Sequence, residues 1–397
     1  MSNRSVVSHV LRRLTFGPTA GEVDLAERDG LAAVVERVLA PQSLPGLPAL
    51  SNRPGPDEAA AWWLDRMAAT GGNAAEKLVF FWHGHWATSV RKVRSAALML
   101  GQQQTFRRYG TGATGPLVRA MLRDPALILW LDGRRNTRRA PNENLAREVL
   151  ELFTLGVGSY TEEDVKAAAR VLTGWVVDRE TGAARLEPRR HDTGPVTLLG
   201  RTGRLDLDAF ADLLVRHPAH APFLAGRVWQ RYGSDGPPPP TLAAAGTSVT
   251  AMLRALALDP AFPATAGHLV KQPVEWLVGA CRQLALGDAG QRGQMLRQLG
   301  QVPFRPPSVG GWPAGAAWLT TASAQARLRA GQALAGQAPA AVQELAEAAA
   351  TDRLDALARL LVVDAWTDRT AAVLRPLAGQ PRRLLALALA TPEYTVH

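Results

Sequence analysis

The sequence predicts a mainly α protein: one large globular helical domain of roughly fifteen helices, with a small β-hairpin or meander inserted near 175–204. Three observations point there. Apolar residues recur with a 3.6-residue period along most of the chain. The short β-type runs WVVD, ARLEP and PVTLLG are confined to 175–204. With 397 residues, 47% hydrophobic and 20% charged, the composition is globular and the chain can bury a large core.

Taken in order, Thr19 and Glu22 form a capping-box pattern, in which each end of the tetrad satisfies the other's backbone N–H. Helices are expected behind it at 22–28 and 31–39, followed by a Pro/Gly-rich loop at 41–56. Helical spacing resumes at 57–69, 74–87, 95–108, 114–123, 143–155 and 162–173. Gly156 suits a helix stop, and Thr161 with Asp164 suits a start. After the β insertion, helices are expected at 207–216, 219–232, 242–258, 266–286 and 290–299. The proline run GSDGPPPPT at 233–241 reads as a surface linker, dividing an N-terminal helical part (1–232) from a C-terminal one (242–397) packed into the same globule. The loop FRPPSVGGWP (304–313) precedes Ala/Leu-rich helices.

Composition and motifs exclude several function classes. No apolar run reaches the length of a transmembrane helix. The first nineteen residues have no apolar signal core, so a cytoplasmic chain is the default expectation. A single cysteine, Cys281, rules out an internal disulfide and a cysteine-built zinc site. There is no GxSxG, HExxH or Walker A, and no GxGxxG following a strand. The net charge is +10, and nearly all of it sits between residues 91 and 139. There Arg91, Lys92, Arg94, Arg107, Arg108, Arg119, Arg123, Arg134, Arg135, Arg138 and Arg139 face only Asp124 and Asp132. Such a region is either a set of solvated helix faces or an attractor for an anionic ligand. The lack of aromatic interleaving, a helix-turn-helix signature or zinc-finger spacing argues against nucleic acid.

Three constellations can carry chemistry. In FFWHGHWATS (80–89), His83 and His85 are about 200° apart on a helix, so both cannot reach one metal ion unless the backbone extends at Gly84. They are either packed core histidines, or one of them serves a site. In PNENLAREVLELFTLG (141–156), Glu143, Arg147 and Glu151 stand at salt-bridge spacing. Glu148 instead borders the apolar face, where desolvation raises a carboxyl pKa. In EPRRHDTGPVTLLG (187–200), His191 beside Asp192 suits a general base or a supported ligand, or simply a turn. Trp312, stiffened by neighbouring prolines, offers a flat stacking face.

In order, HVLRRLTFGPTAGEV (9–23), EKLVFFWHGHWATS (76–89), DPALILWLDGRRN (124–136), the 141–175 block, RRHDTG (189–194), VKQPVEWLV (270–278), FRPPSVGGWP (304–313) and LATPEYTVH (389–397) resemble the bacterial domain of unknown function 1800 family. The resemblance spans essentially the whole chain, with Gly84 and Trp86 standing where an Asn and a Phe are more usual. It implies no established reaction. It does imply an exported partner related to sulfatases and phosphatases, with which a chain lacking its own signal would travel.

Two functions are therefore expected in competition. One is an enzyme acting on an anionic or sugar-like substrate, in which Glu148, His191, Asp192 and His83 or His85 share a pocket, with a divalent metal among the candidates' ligation options (His83, His85, Glu148, His191). There Arg134, Arg135, Arg138, Arg139, Asn142, Asn144, Arg147 and Trp312 would bind the ligand. The other is a non-catalytic assembly protein whose Arg-rich face docks an acidic partner protein or an envelope polysaccharide.

Overall fold

Helical periodicity becomes helix over most of the chain in the computed structural model, which describes residues 2–42, 44, 49–178, 181–287 and 292–397. Among these residues there are twenty-three α-helices and two antiparallel two-stranded sheets. Parts of the loop expected at 41–56, residues 290–291 of the helix expected at 290–299, and residues 179–180 of the β insertion lie outside the described residues.

The first helix, α1 (Asn3–Leu14), was not among the expected elements, although Val7, Val10, Leu11 and Leu14 have helical spacing and are all buried. Ser2 caps it, accepting from Ser5 N–H at 3.1 Å. The Thr19–Glu22 capping box forms and opens α2 (Ala20–Asp29). α3 (Leu31–Leu39), α4 (Pro56–Ala69) and α5 (Ala75–His85) follow close to expectation. The helix expected at 95–108 is α7 (Ala96–Tyr109), preceded by a single turn, α6 (Val90–Val93), that ends on left-handed Arg94 (φ 58°). α8 (Thr114–Leu122) and α9 (Pro125–Trp130) lead to the 141–156 block.

That block is not one α-helix. α10 (Asn144–Glu148) widens into a π-helix over Val149–Thr154, closed where the N–H groups of Leu155 and Gly156 both donate to Leu150 C=O. Gly156 then ends it at φ 82°, as expected. α11 (Glu162–Val171) starts on the Thr161–Asp164 box. The insertion is two separate hairpins: β1 (Trp175–Val177) with β2 (Ala184–Leu186), and β3 (Val196–Leu198) with β4 (Arg201–Gly203).

α12 (Leu207–Arg216) and α13 (His220–Tyr232) match their expected bounds closely. The proline run is not wholly irregular: Pro240 takes the first position of α14 (Pro240–Ala244), where its missing N–H costs nothing. The helix expected at 242–258 breaks at left-handed Gly246, so α15 is Val249–Leu258. The helix expected at 266–286 shortens to α16 (Pro273–Gln283), because Pro273 can start but not continue a helix. Residues just before it run extended, with Val270 bridging Val396. α17 (Arg292–Leu299) and six more helices between Thr321 and Thr395 complete the chain.

One contiguous core joins both halves, from Val7 to Tyr394. Ion pairs also cross between them, among them the buried Lys77–Glu275 at 2.8 Å and the half-buried Arg282–Glu22 at 2.6 Å.

Candidate functional site

α5 is regular through His85, so its two histidines diverge as the helical spacing requires. His83 Nε2 accepts the Phe304 N–H at 3.1 Å, which puts the ring proton on Nδ1 among the rings of Trp63, Phe304 and Trp312. His85 takes the opposite tautomer: its Nε2–H donates to Phe153 C=O at 2.9 Å. Burial lowers both pKa values to about 3, so both rings are neutral at physiological pH; for His85 the Arg227 charge adds to that effect. Trp312 packs against His83 and Phe80, at 5.2 and 5.9 Å between ring centroids. His85, Gly84 and Trp312 share the lining of a cavity of about 110 Å³.

The other expected acids and bases lie in separate bonding networks. Glu148 is half-buried and makes no hydrogen bond or ion pair with any described residue. Burial raises its pKa, Glu151 adds to this, and Arg147 opposes it. Arg147 pairs with Glu143 at 3.1 Å, but its further partner is Glu162 at 2.7 Å. Glu151, on the wider π turn, accepts instead from Tyr160 Oη at 2.9 Å. His191 Nδ1 donates to Thr173 C=O at 2.9 Å, and Asp192 accepts from Arg170 Nε at 2.7 Å rather than orienting the histidine. Arg170 holds the Asp192 carboxyl below the usual range. Among the described residues, no three His, Cys, Asp or Glu side chains come together in a way that could hold a metal ion.

Asn142 and Asn144 act locally. Asn142 Oδ1 accepts the Asn144 N–H at 3.0 Å, and the Asn144 amide ties the block to Leu131 C=O at 3.3 Å.

The basic region, by contrast, does assemble. α6, the start of α7, the turn at Gly133–Arg135 and the β1–β2 hairpin enclose a groove of about 910 Å³. Arg91, Lys92, Arg94, Arg134 and Arg135 line it, opposed by Asp132 and Asp178. Lys92 is bound to Asp132 at 2.7 Å, whereas the four arginines make no ion pair with any described residue and are exposed. Arg138 and Arg139 are exposed nearby but outside that lining. The Arg138 N–H and the Arg190 guanidinium lock this turn to the 188–190 segment, donating to Arg190 C=O at 2.8 Å and Arg134 C=O at 2.6 Å.

Sequence reasoning missed a buried charge cluster. Lys77 on α5 meets Glu275 on α16, and Glu275 also accepts from Arg231 Nη1 of α13 at 3.1 Å, with Nη2 in ion contact at 3.0 Å. The available signal was a Lys and a Glu set inside the apolar runs AEKLVFFW and QPVEWLVG.

No helix among the described residues is long and apolar enough to cross a membrane. Neither the curated proteins nor the solved structures compared with this chain include a match. The chain belongs to the family described as Protein of unknown function (DUF1800), whose model matches residues 9–396.

Proposed function

We propose that the protein is a binding module whose arginine groove takes an acidic peptide segment of a partner protein. The observation carrying this reading is the groove's charge: four arginines without an acidic partner among the described residues, gathered from two chain segments, 91–94 and 134–135, around one concave surface. Clustered like charges of this kind repel one another until an anion neutralises them. Guanidinium forks suit carboxylates, which they bind through two parallel hydrogen bonds. The described lining residues include no aromatic ring, so the stacking faces that favour sugars and bases are not supplied there. The catalytic alternative draws its support from the partnerless Glu148 alone, since His83, His85, His191 and Asp192 are each committed to backbone or to Arg170.

Fluorescence anisotropy with a labelled Glu/Asp-rich decapeptide tests the reading. Binding should be saturable at low salt and weaken steeply once the screening length falls to about 10 Å near 0.1 M. It should be lost in the double charge reversal Arg94→Glu/Arg134→Glu. Affinity indifferent to salt, or retained by that variant, would sink the proposal.

A further inference from the structure

The small cavity beside His85 shares no lining residue with the arginine groove, and its walls have a different chemistry. Phe80, Phe81 and Trp312 supply apolar faces on one side, while Arg227, Arg231 and Gln272 supply donors on the other. Arg227 and Arg231 stand at i and i+4 on α13, so both point from one helix face.

Their charges are not equivalent. Arg231 is met by Glu275 and lies over the Phe80 ring at 5.5 Å. Arg227 is partly buried, has no ion-pair or hydrogen-bond partner among the described residues, and feels burial as the sole influence on its pKa, which is lowered. The cavity therefore holds one unmet positive charge.

Gln272 adds an oriented donor. Val274 N–H donates to Gln301 Oε1 at 3.0 Å, which obliges the Gln301 NH2 to face Gln272 Oε1, at 2.8 Å. That contact uses the Gln272 oxygen and leaves its NH2 without a described partner.

The remaining wall is backbone. Gly311 (φ 84°) brings the 304–313 loop so close to α5 that a Cβ there would lie 2.4 Å from Gly84 C=O. Gly84 differs: a Cβ on it meets nothing within 4 Å, so this position opens into free space.

We propose that this cavity is a binding site for a short-chain monocarboxylate, with the carboxylate on Arg227 and Gln272 and the alkyl tail against Phe80, Phe81 and Trp312. One unmet guanidinium calls for a monoanion, and the apolar faces call for a tail that a phosphate or sulfate lacks. The volume of about 110 Å³ lies somewhat below the roughly 150 Å³ in which an apolar protein cavity holds benzene, which suits an acid the size of propionate or butyrate. The proposal is independent of the groove: either site can fail without the other.

Isothermal titration calorimetry of the full chain against sodium propionate, with inorganic phosphate as comparator, provides the test. Propionate should bind one to one, with a Kd on the order of 0.1–10 mM for so small a ligand. Arg227→Gln should weaken it about 10-fold to 100-fold, the loss expected of a charged hydrogen-bonded contact. Gly84→Leu should abolish it by filling the open space, at a helical position that leucine tolerates, with thermal melts checking that both variants fold. Three results would overturn the assignment: no saturable binding up to about 50 mM, unchanged affinity in both folded variants, or phosphate competing as strongly as propionate.

Discussion

Replacing Glu275 by glutamine should be among the most damaging single changes to the fold, and its cost should depend on pH in a specific direction. Glu275 is 3% exposed and, among the described residues, is the one carboxylate in ion contact with Lys77, itself 1% exposed, and with Arg231. Breaking a buried pair by removing one partner costs about 3–5 kcal/mol, set against a total stability of about 5–15 kcal/mol. The lower end applies here, because the Lys77 ammonium keeps two other acceptors, Arg12 C=O at 3.1 Å and Thr15 C=O at 2.8 Å. Burial already lowers the Lys77 pKa to about 8, with Glu275 holding it up. Without Glu275 it falls further, so the folded variant releases a proton that the unfolded chain retains. Stability then rises with pH wherever the unfolded state binds more protons. In the wild type that rise belongs above about pH 8; in Glu275→Gln it should begin lower, so the penalty shrinks between pH 7 and 9. Urea midpoints at those two pH values measure this. Replacing Lys77 as well, as Lys77→Met/Glu275→Leu, should recover only part of the loss, because Arg231 is left without its carboxylate and the Arg12 and Thr15 carbonyls lose the Lys77 donor. A penalty below about 1 kcal/mol, or one indifferent to pH, would refute the reading of this cluster as a single electrostatic unit.

Two further outcomes follow from buried groups elsewhere. His9, His83 and His85 are each held neutral with pKa values lowered to about 3, whereas an unfolded histidine titrates near 6.5. The unfolded state therefore binds extra protons below about pH 6.5, and each histidine should remove about 1.4 kcal/mol of stability per pH unit across the window down to about 3. Histidine Cε1–H resonances of the folded protein check this directly, and titration of the His83 or His85 ring near pH 6.5 would contradict it. Gly311→Ala should destabilise by about 1–3 kcal/mol or more, since it adds left-handed strain to a clash with Gly84 C=O. A thermal melt reads the loss, and a variant as stable as wild type would show that the loop does not press on α5 as described.

What the sequence made legible was local. Thr19 with Glu22 and Thr161 with Asp164 announce their helices because each cap is complete within four residues. α1 has the same apolar spacing, but its Ser2 cap has no acidic partner three residues on, so its start is less marked than that of a complete capping box. The π turn at Val149–Thr154 was not readable, because the α and π patterns differ by one residue per turn, and a six-residue segment gives too few turns to tell them apart. Arg227 was invisible for a different reason. On the sequence it is one more basic residue of an amphipathic helix, and it becomes a cavity wall only because residues 84–85, 272 and 310–314 close around it. The arginine groove sits between these cases: its charge was plain in the composition of 91–139, but its concavity depends on the hairpin at 175–186.

The two histidines of FFWHGHW show why a choice between packing and function is too coarse. Neither is free to exchange protons, yet each satisfies a backbone group in a segment that cannot satisfy it internally. Phe304 is left-handed, at φ 65°, and its N–H turns inward to His83 Nε2. Phe153 lies in the last turn of the π segment, where carbonyls have lost their helical partners, and its C=O receives His85 Nε2–H. Buried backbone groups must be paired, so one rigid helix fixes two irregular segments through two opposite tautomers. One of those segments begins the loop whose Gly310, Trp312 and Ala314 line the cavity; the other ends the block that carries Glu148. A side chain that only donates, such as lysine, could serve Phe153 but not Phe304, and one that only accepts would fail in the other place. Neutral imidazole meets both demands within an apolar helix, so the aromatic surroundings that argue against catalysis are what keep these two residues in their positioning role.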